Sequence, residues 1–263
     1  MKNDINSVLL QMLEIYKMPG QAFWRSLEFL KLMELKNEWG FARPVLEIGC
    51  GNGAFSSLIF DKIDDAIDIN PRAIERARQS TNLYEHLHCV DARKMEFPDS
   101  TYRTVFANCV IEHIPNIEQI VKSLYRVLAP SGFLLTTVPL VEMNNFLLFP
   151  SNSYAKLRQN QLAHLNLFTI DEWRQLFLSE GFSQFQFFPY LYGEQCRLWD
   201  RVDFPGCVGY GRYTISSAFS ILTSPLPDNL VLAGRKWVAQ FLSRYMAYKQ
   251  DDVPCAIAII AIK

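Results

Sequence analysis

Val45-Leu46-Glu47-Ile48-Gly49-Cys50-Gly51-Asn52-Gly53 decides the fold: a short, mostly apolar strand runs directly into a turn with glycine at every second position. Glycine permits φ > 0 and leaves no side chain between the backbone and a ligand. Such a turn, leading into a helix at about 54–62, sets backbone amides at the carboxyl end of a strand, where open α/β sheets bind their ligands.

Working outward, the chain repeats strand and helix. A second strand at 65–69 meets Asn70-Pro71, an N-cap followed by proline at the first helical position, and the helix runs to about Ser80. Strands follow at 85–90, ending at Asp91, and at 103–109, rich in residues that pack well in sheets. Asn116 with Gln119 is expected to begin the next helix by reciprocal capping, and Pro130-Ser131-Gly132 to end it before a strand at 133–138. Thr169 with Glu172 repeats the capping pattern, its helix ends before Gly181, and strands at 183–188 and 255–262 complete the series. Upstream, 21–39 reads as an amphipathic helix. This alternation argues for a doubly wound α/β domain around a mostly parallel sheet covered on both faces.

Two stretches break the rhythm: 140–168, and 190–253, which is far too long for an ordinary connection. The expected organisation is one domain over 1–263, with an N-terminal helical segment at 1–40 and these two stretches as insertions on the ligand side. The longer insertion carries Tyr192, Trp199, Phe204, Tyr210, Tyr213 and Phe219, then a helix at about 229–248 that mixes Arg235, Lys236 and Arg244 with apolar residues. That helix suits packing on the sheet, with weak contact to anionic lipid as the competing reading.

The 263 residues are 49% hydrophobic and carry 26 basic and 27 acidic side chains, enough to bury a full core but without the field that gathers nucleic acid. Six cysteines without a Cys-x-x-Cys pair fit reduced thiols in a cytoplasm and no structural zinc site. The longest apolar run near the C-terminus, 256–262, is too short to cross a bilayer as a helix.

The glycine turn has two readings. Gly49-x-Gly51-x-x-Ala54 satisfies the loose dinucleotide fingerprint, with Asp68 at the distance expected of a ribose contact. Against this, Glu47 precedes the turn and Asp91 follows the third strand, and carboxylates near a pyrophosphate cradle are unfavourable. A sulfonium nucleoside with an α-amino group tolerates them.

The segment from Val45 to Gly53 resembles the signature loop of the Rossmann-like methyltransferases that use S-adenosylmethionine, and 44–138 follows that family's order. The resemblance implies a seven-stranded sheet of order 3-2-1-4-5-7-6 with the last strand antiparallel, and an N-terminal cap from which Tyr16 or Arg25 reaches the donor's carboxylate. It implies that Gly49, Gly51 and Gly53 line the methionine and ribose part, with Cys50 in the same cofactor-binding loop; Glu47, interior to an apolar strand, is expected to contact the ligand's ammonium or a local amide. It also implies that Asp68 accepts from the ribose hydroxyls, Ile69 packs on adenine, Asp91 and Ala92 meet the adenine edge, and Asn108 meets the methionine part. S-adenosylhomocysteine would be the product and no metal is expected.

The acceptor reading rests on His113, which follows the fourth strand and is the candidate general base, and on His164, Tyr192, Tyr210 and Tyr213 as contacts. The excess of aromatics in irregular sequence favours a small, apolar, aromatic or lipid-like acceptor. His86 and His88 share one side of a strand, but no cluster completes a metal site around them. A nicotinamide- or flavin-dependent oxidoreductase and a catalytically silent S-adenosylmethionine-binding protein are the alternatives.

Overall fold

All four residues of β1 (Val45–Ile48) are buried, as befits a strand with neighbours on both sides and layers on both faces. The computed structural model describes residues 4–210, 213–214, 227–247 and 253–263, with the side chains of 209, 210, 213 and 214 outside that description. The other sheet strands are β2 (Ile63–Asp68), β3 (Tyr84–Cys89), β4 (Tyr102–Asn108), β5 (Leu128–Pro139), β6 (Gln184–Tyr192) and β7 (Pro254–Ile262). Their order is β3-β2-β1-β4-β5-β7-β6, with parallel pairing from β3 to β5 and β7 antiparallel to β5, as the resemblance implied.

The helices are α1 (Ile5–Tyr16), α2 (Pro19–Trp39), α3 (Pro71–Ser80), α4 (Ile117–Val127), α5 (Asn152–Leu162), α6 (Ile170–Ser179), α7 (Gly193–Cys207) and α8 (Asp228–Ser243). The chain gathers into two compact units that interleave in sequence. One holds Met1–Leu30, Glu142–Leu162 and Leu191–Cys255; the other holds Lys31–Val141, Ala163–Tyr190 and Ala256–Lys263.

The second unit contains the sheet. Alternation along β4 sends Val105 and Ala107 into a core with Ile120, Val121 and Leu124 of α4 and Trp173 and Phe177 of α6. The opposite face is aromatic, where Phe60 lies 5.1 Å from Phe106 and Phe133 lies 5.9 Å from Trp39.

In the first unit α1 buries Val8, Leu9, Met12 and Leu13 and packs beside α8, while Trp24 meets Trp199 edge-on at 5.0 Å. Here a buried arginine, Arg158 of α5, bridges Asp200 and Asp203 of α7 at 2.7 Å each. Asp200 also accepts from the Tyr154 hydroxyl and the Leu148 amide, both at 2.8 Å. A buried charge persists only when so paired.

Several local expectations hold: Asn70 caps α3 with Pro71 at its first position, and Thr169 and Glu172 form the reciprocal box of α6. Others are corrected. The helix expected at 54–62 is a single 3-10 turn, Ser56–Leu58, because the Ser57 hydroxyl turns back to the Ala54 carbonyl and β2 begins within a few residues. Asn116 does not cap α4 with its side chain; it sits in the left-handed region at φ 59. Pro130-Ser131-Gly132 does not precede β5 but lies within it, at a register shift against β4 where a proline is tolerated. The N-terminal segment forms two helices, where the apolar periodicity had marked one.

Candidate functional site

The turn after β1 is built on β2. The Ile67 carbonyl accepts from the amides of Gly49 and Cys50 at 2.8 and 3.1 Å, and the Gly51 amide donates to Asp68 Oδ2 at 2.9 Å. Asp68 Oδ1 accepts from the Asn70 amide at 2.8 Å, so the carboxylate is fixed by one amide on each oxygen and keeps lone pairs for further donors. Gly49 (φ 69) lies so close to Val110 that a Cβ would stand 2.6 Å from its Cγ2. Gly51 (φ 58) differs: a Cβ there would meet nothing within 4 Å, so the backbone presents a bare face beside the Asp68 carboxylate. Ile69, next in chain after Asp68, is 67% exposed.

Glu47 lies beneath the turn, 2% exposed. Its carboxylate accepts from the Ser56 hydroxyl on one oxygen and from the Tyr84 hydroxyl, at 2.8 Å, on the other. Burial pushes its acid up to about 7; the two hydroxyls pull it back and the Asp68 charge adds to the rise. Neither partner was read from the sequence, since Tyr84 comes from another strand and Ser56 from the expected helix. The Cys50 thiol is buried and raised well above its ordinary value by that burial, so it stays protonated.

Asp91 is engaged locally. It accepts from the Arg93 amide at 2.9 Å and pairs with the Arg93 guanidinium at 2.6 Å, which holds its acid below the ordinary carboxylate value. Ala92, beside it, is buried.

The loop after β4 supplies a second group of side chains. Asn108 Oδ1 accepts from the Thr137 hydroxyl at 2.8 Å, and the Cys109 amide donates to the Thr137 carbonyl at 3.1 Å. Cys109 is held at φ 51, a conformation unfavourable for a residue with a side chain, and its Sγ lies 4.0 Å from the Tyr190 hydroxyl. Thr137 and Tyr190 were not singled out from sequence, because nothing local distinguishes them from strand residues.

Four residues on, His113 Nδ1 lies 3.0 Å from the Ala163 carbonyl oxygen, and His113 Nε2 lies 3.7 Å from Glu112 Oε1. The His113 and His164 rings are 5.3 Å apart. Positions 113 and 164 are far apart in the sequence, and the fold brings them together. His86 and His88 instead flank Asp65, with Nε2 of His88 at 2.8 Å.

The remaining residues singled out from the sequence lie in the other unit. Arg25 pairs with buried Glu28 at 2.5 Å and lies 5.8 Å from the Tyr16 ring centre. Tyr192 opens α7, its amide donating to the Gln195 side chain at 3.1 Å. Tyr210 and Tyr213 as acceptor contacts lie outside the described side chains. Among the described residues no helix is long and apolar enough to cross a membrane.

Comparison with known proteins decides between the readings of the turn. Residues 24–185 match the family model described as a methyltransferase domain. The chain belongs to the methyltransferase domain family.

The fold of this methyltransferase-family chain is shared widely. A methyltransferase from Archaeoglobus fulgidus, described as dependent on S-adenosylmethionine (SAM), superposes with a TM-score of 0.55 at 17% identity, covering 91% of this chain and 94% of the other. Phosphoethanolamine N-methyltransferase 2 of Haemonchus contortus, solved with phosphomonomethylethanolamine and S-adenosylhomocysteine, gives 0.57 at 15% identity, covering 97% of this chain and 60% of the other. Among curated relatives, the malonyl-[acyl-carrier protein] O-methyltransferase of Legionella pneumophila is 27% identical over 161 residues, 59% of this chain and 52% of the relative. Phosphoethanolamine N-methyltransferase 2 of Caenorhabditis elegans is 26% identical over 118 residues, 42% of this chain and 27% of the relative. The alignments thus span about half or less of these curated relatives.

Proposed function

We propose that this chain transfers a methyl group from S-adenosylmethionine to a small organic acceptor. The observation that carries the reading is the bare backbone face at Gly51 beside a pre-positioned Asp68 carboxylate, in a chain of the methyltransferase family. Asp68 retains lone pairs for two ribose hydroxyls, and exposed Ile69 offers an apolar surface of the kind an adenine ring covers. Glu47, poised near neutrality, lends negative charge beneath the turn toward an α-ammonium. Asp91 and Ala92 would border the adenine edge, with Asp91 held ionised by Arg93.

The donor's sulfonium supplies the activated methyl group. The protein's task is to align the acceptor and exclude water, which needs no covalent intermediate. The loop from Asn108 to His113 lies at the carboxyl end of β4, beside β1 in the sheet, and is our candidate for the acceptor side. We assign acceptor selection to the 140–168 and 190–253 insertions, including Tyr192, Tyr210 and Tyr213, and infer an apolar, aromatic or lipid-like acceptor from their aromatic content. Contact of 229–248 with anionic lipid belongs to the same proposal: Trp237 is 68% exposed on α8, near Arg235 and Lys236.

Calorimetric titration is the first test. S-adenosylmethionine and S-adenosylhomocysteine should bind one per chain, nicotinamide dinucleotides negligibly, and Asp68→Ala should lose at least tenfold in donor affinity while its folding is less affected. Preferred dinucleotide binding, or unchanged donor affinity in the folded variant, would refute the assignment. Incubation with methyl-labelled donor and fractionated cell extract then identifies the labelled product. Donor binding with no product in any fraction would favour the silent alternative.

A further inference from the structure

We propose that Glu112, His113 and His164 form a binding site for a divalent first-row transition cation in the loop after β4. One donor atom from each of these three residues lies within 4.8 Å of the other two. For zinc, bonds of ~2.1 Å in a tetrahedron separate neighbouring donors by about 3.4 Å, so modest side-chain adjustment closes the set.

The arrangement at His113 points the same way. A carbonyl oxygen can only accept, so the Ala163 carbonyl at 3.0 Å places the imidazole proton on Nδ1. In the neutral ring Nε2 then carries a lone pair, 3.7 Å from the Oε1 of a carboxylate that is 1% exposed. The Nε2 lone pair thus faces the enclosed Glu112 carboxylate from a ring that is itself 38% exposed and open to a cation from solvent. A proton on the ring would serve the pair alone; the convergence of His164 as a third donor suits a metal ion. Orientation of a ligating imidazole by a carbonyl on its other nitrogen is a usual outer-shell device of metal sites.

The scaffold holds the two segments together without help from the three side chains. The Glu112 carbonyl accepts from the amides of Leu165 and Asn166, both at 2.9 Å, and Asn166 Nδ2 donates to the carbonyls of Ile111 and Ile114 at 3.0 and 2.8 Å. His164 is thereby carried to Glu112 across about fifty residues of chain and held there before any ion binds.

Two imidazoles and one carboxylate select zinc, cobalt or a similar ion over magnesium or calcium, which prefer all-oxygen sets. Three protein ligands leave a coordination position for an outside oxygen. If methyl transfer is the reaction, that position suits an acceptor bearing a hydroxyl or carboxylate oxygen, and this last clause alone rests on the proposed function.

The test is a cobalt(II) titration of chelator-treated, full-length protein, followed by zinc competition. Wild type should bind one cobalt per chain with a visible ligand-field spectrum, zinc should displace it, and millimolar magnesium should not. Glu112→Gln, His113→Gln and His164→Ala, each checked for folding by circular dichroism, should weaken binding at least tenfold, while the His86→Ala/His88→Ala double variant should bind as wild type. No stoichiometric cobalt binding by wild type overturns the proposal. So does loss of binding confined to the His86/His88 variant. A His113→Gln protein that keeps the cation but loses methyl transfer also overturns it, leaving His113 as a base. Cobalt binding by a protein that ignores S-adenosylmethionine supports the cation site and refutes only the reading of the reaction.

Discussion

Glu47→Gln should make the protein more stable, and more so as pH rises. The wild-type acid is pushed up to about 7 in the folded chain against an ordinary 4.5, because the carboxylate is enclosed and its partners among the described residues are the Ser56 and Tyr84 hydroxyls. Below pH 4.5 the group is neutral folded and unfolded, and its protonation contributes nothing to the pH slope. Between 4.5 and 7 the unfolded chain releases a proton that the folded chain retains, so stability falls as pH rises, and the loss is complete above the folded value. At 1.36 kcal/mol per pH unit the interval amounts to about 3 kcal/mol, a large share of a typical folding free energy.

Glutamine keeps the shape, accepts from one hydroxyl and donates to the other, and has no charge to desolvate. Urea unfolding of both proteins from pH 4.5 to 8.5 isolates the group, since all other titrations are shared. The stability difference should be within about 1 kcal/mol at pH 4.5 and reach roughly 2–3 kcal/mol in favour of Glu47→Gln by pH 8. A difference that stays flat across that range would refute the account of Glu47. A matching loss of donor affinity in the same variant would mark the residue as one that trades stability for binding.

Gly49→Ala should lose about 2–4 kcal/mol, because its Cβ would stand 2.6 Å from Val110 at a positive φ, and a melt within 1 °C of wild type would contradict this. Arg158→Ala should destabilise by roughly 3–5 kcal/mol by leaving Asp200 and Asp203 buried without their cation; denaturant midpoints measure it, and a loss under about 1 kcal/mol would show the cluster to be wet. Cys109→Gly relieves the left-handed strain at φ 51 and should fold as well as wild type or up to about 1 kcal/mol better, so a clear loss would mean that the thiol's packing outweighs the strain.

What the sequence disclosed was whatever is encoded by neighbours along the chain. Glycines at 49, 51 and 53 after an apolar strand, Asn70 before Pro71, and Thr169 three residues before Glu172 are local devices, and each forms as read. The strand order came from resemblance, since pairing between β5 and β7 joins residues more than a hundred positions apart. Side chains that converge from different elements were not legible. Glu47 finds Ser56 and Tyr84, Arg158 finds Asp200 and Asp203, and His113 lies against His164, each through contacts that no periodicity reports. The missing helix at 54–62 is the converse case, where acceptable helix residues were overruled by serine bonding and a short connection.

The place of β7 between β5 and β6 has a consequence for biosynthesis. During translation the edge of β5 stays open, and β6 has no neighbour, until about sixty further residues have been added; at the ribosome's ~5–20 residues per second that is roughly 3–12 s. For that interval a nearly complete sheet presents an unpaired apolar edge to other nascent chains, so the order of synthesis leaves aggregation risk greatest just before the sheet is finished.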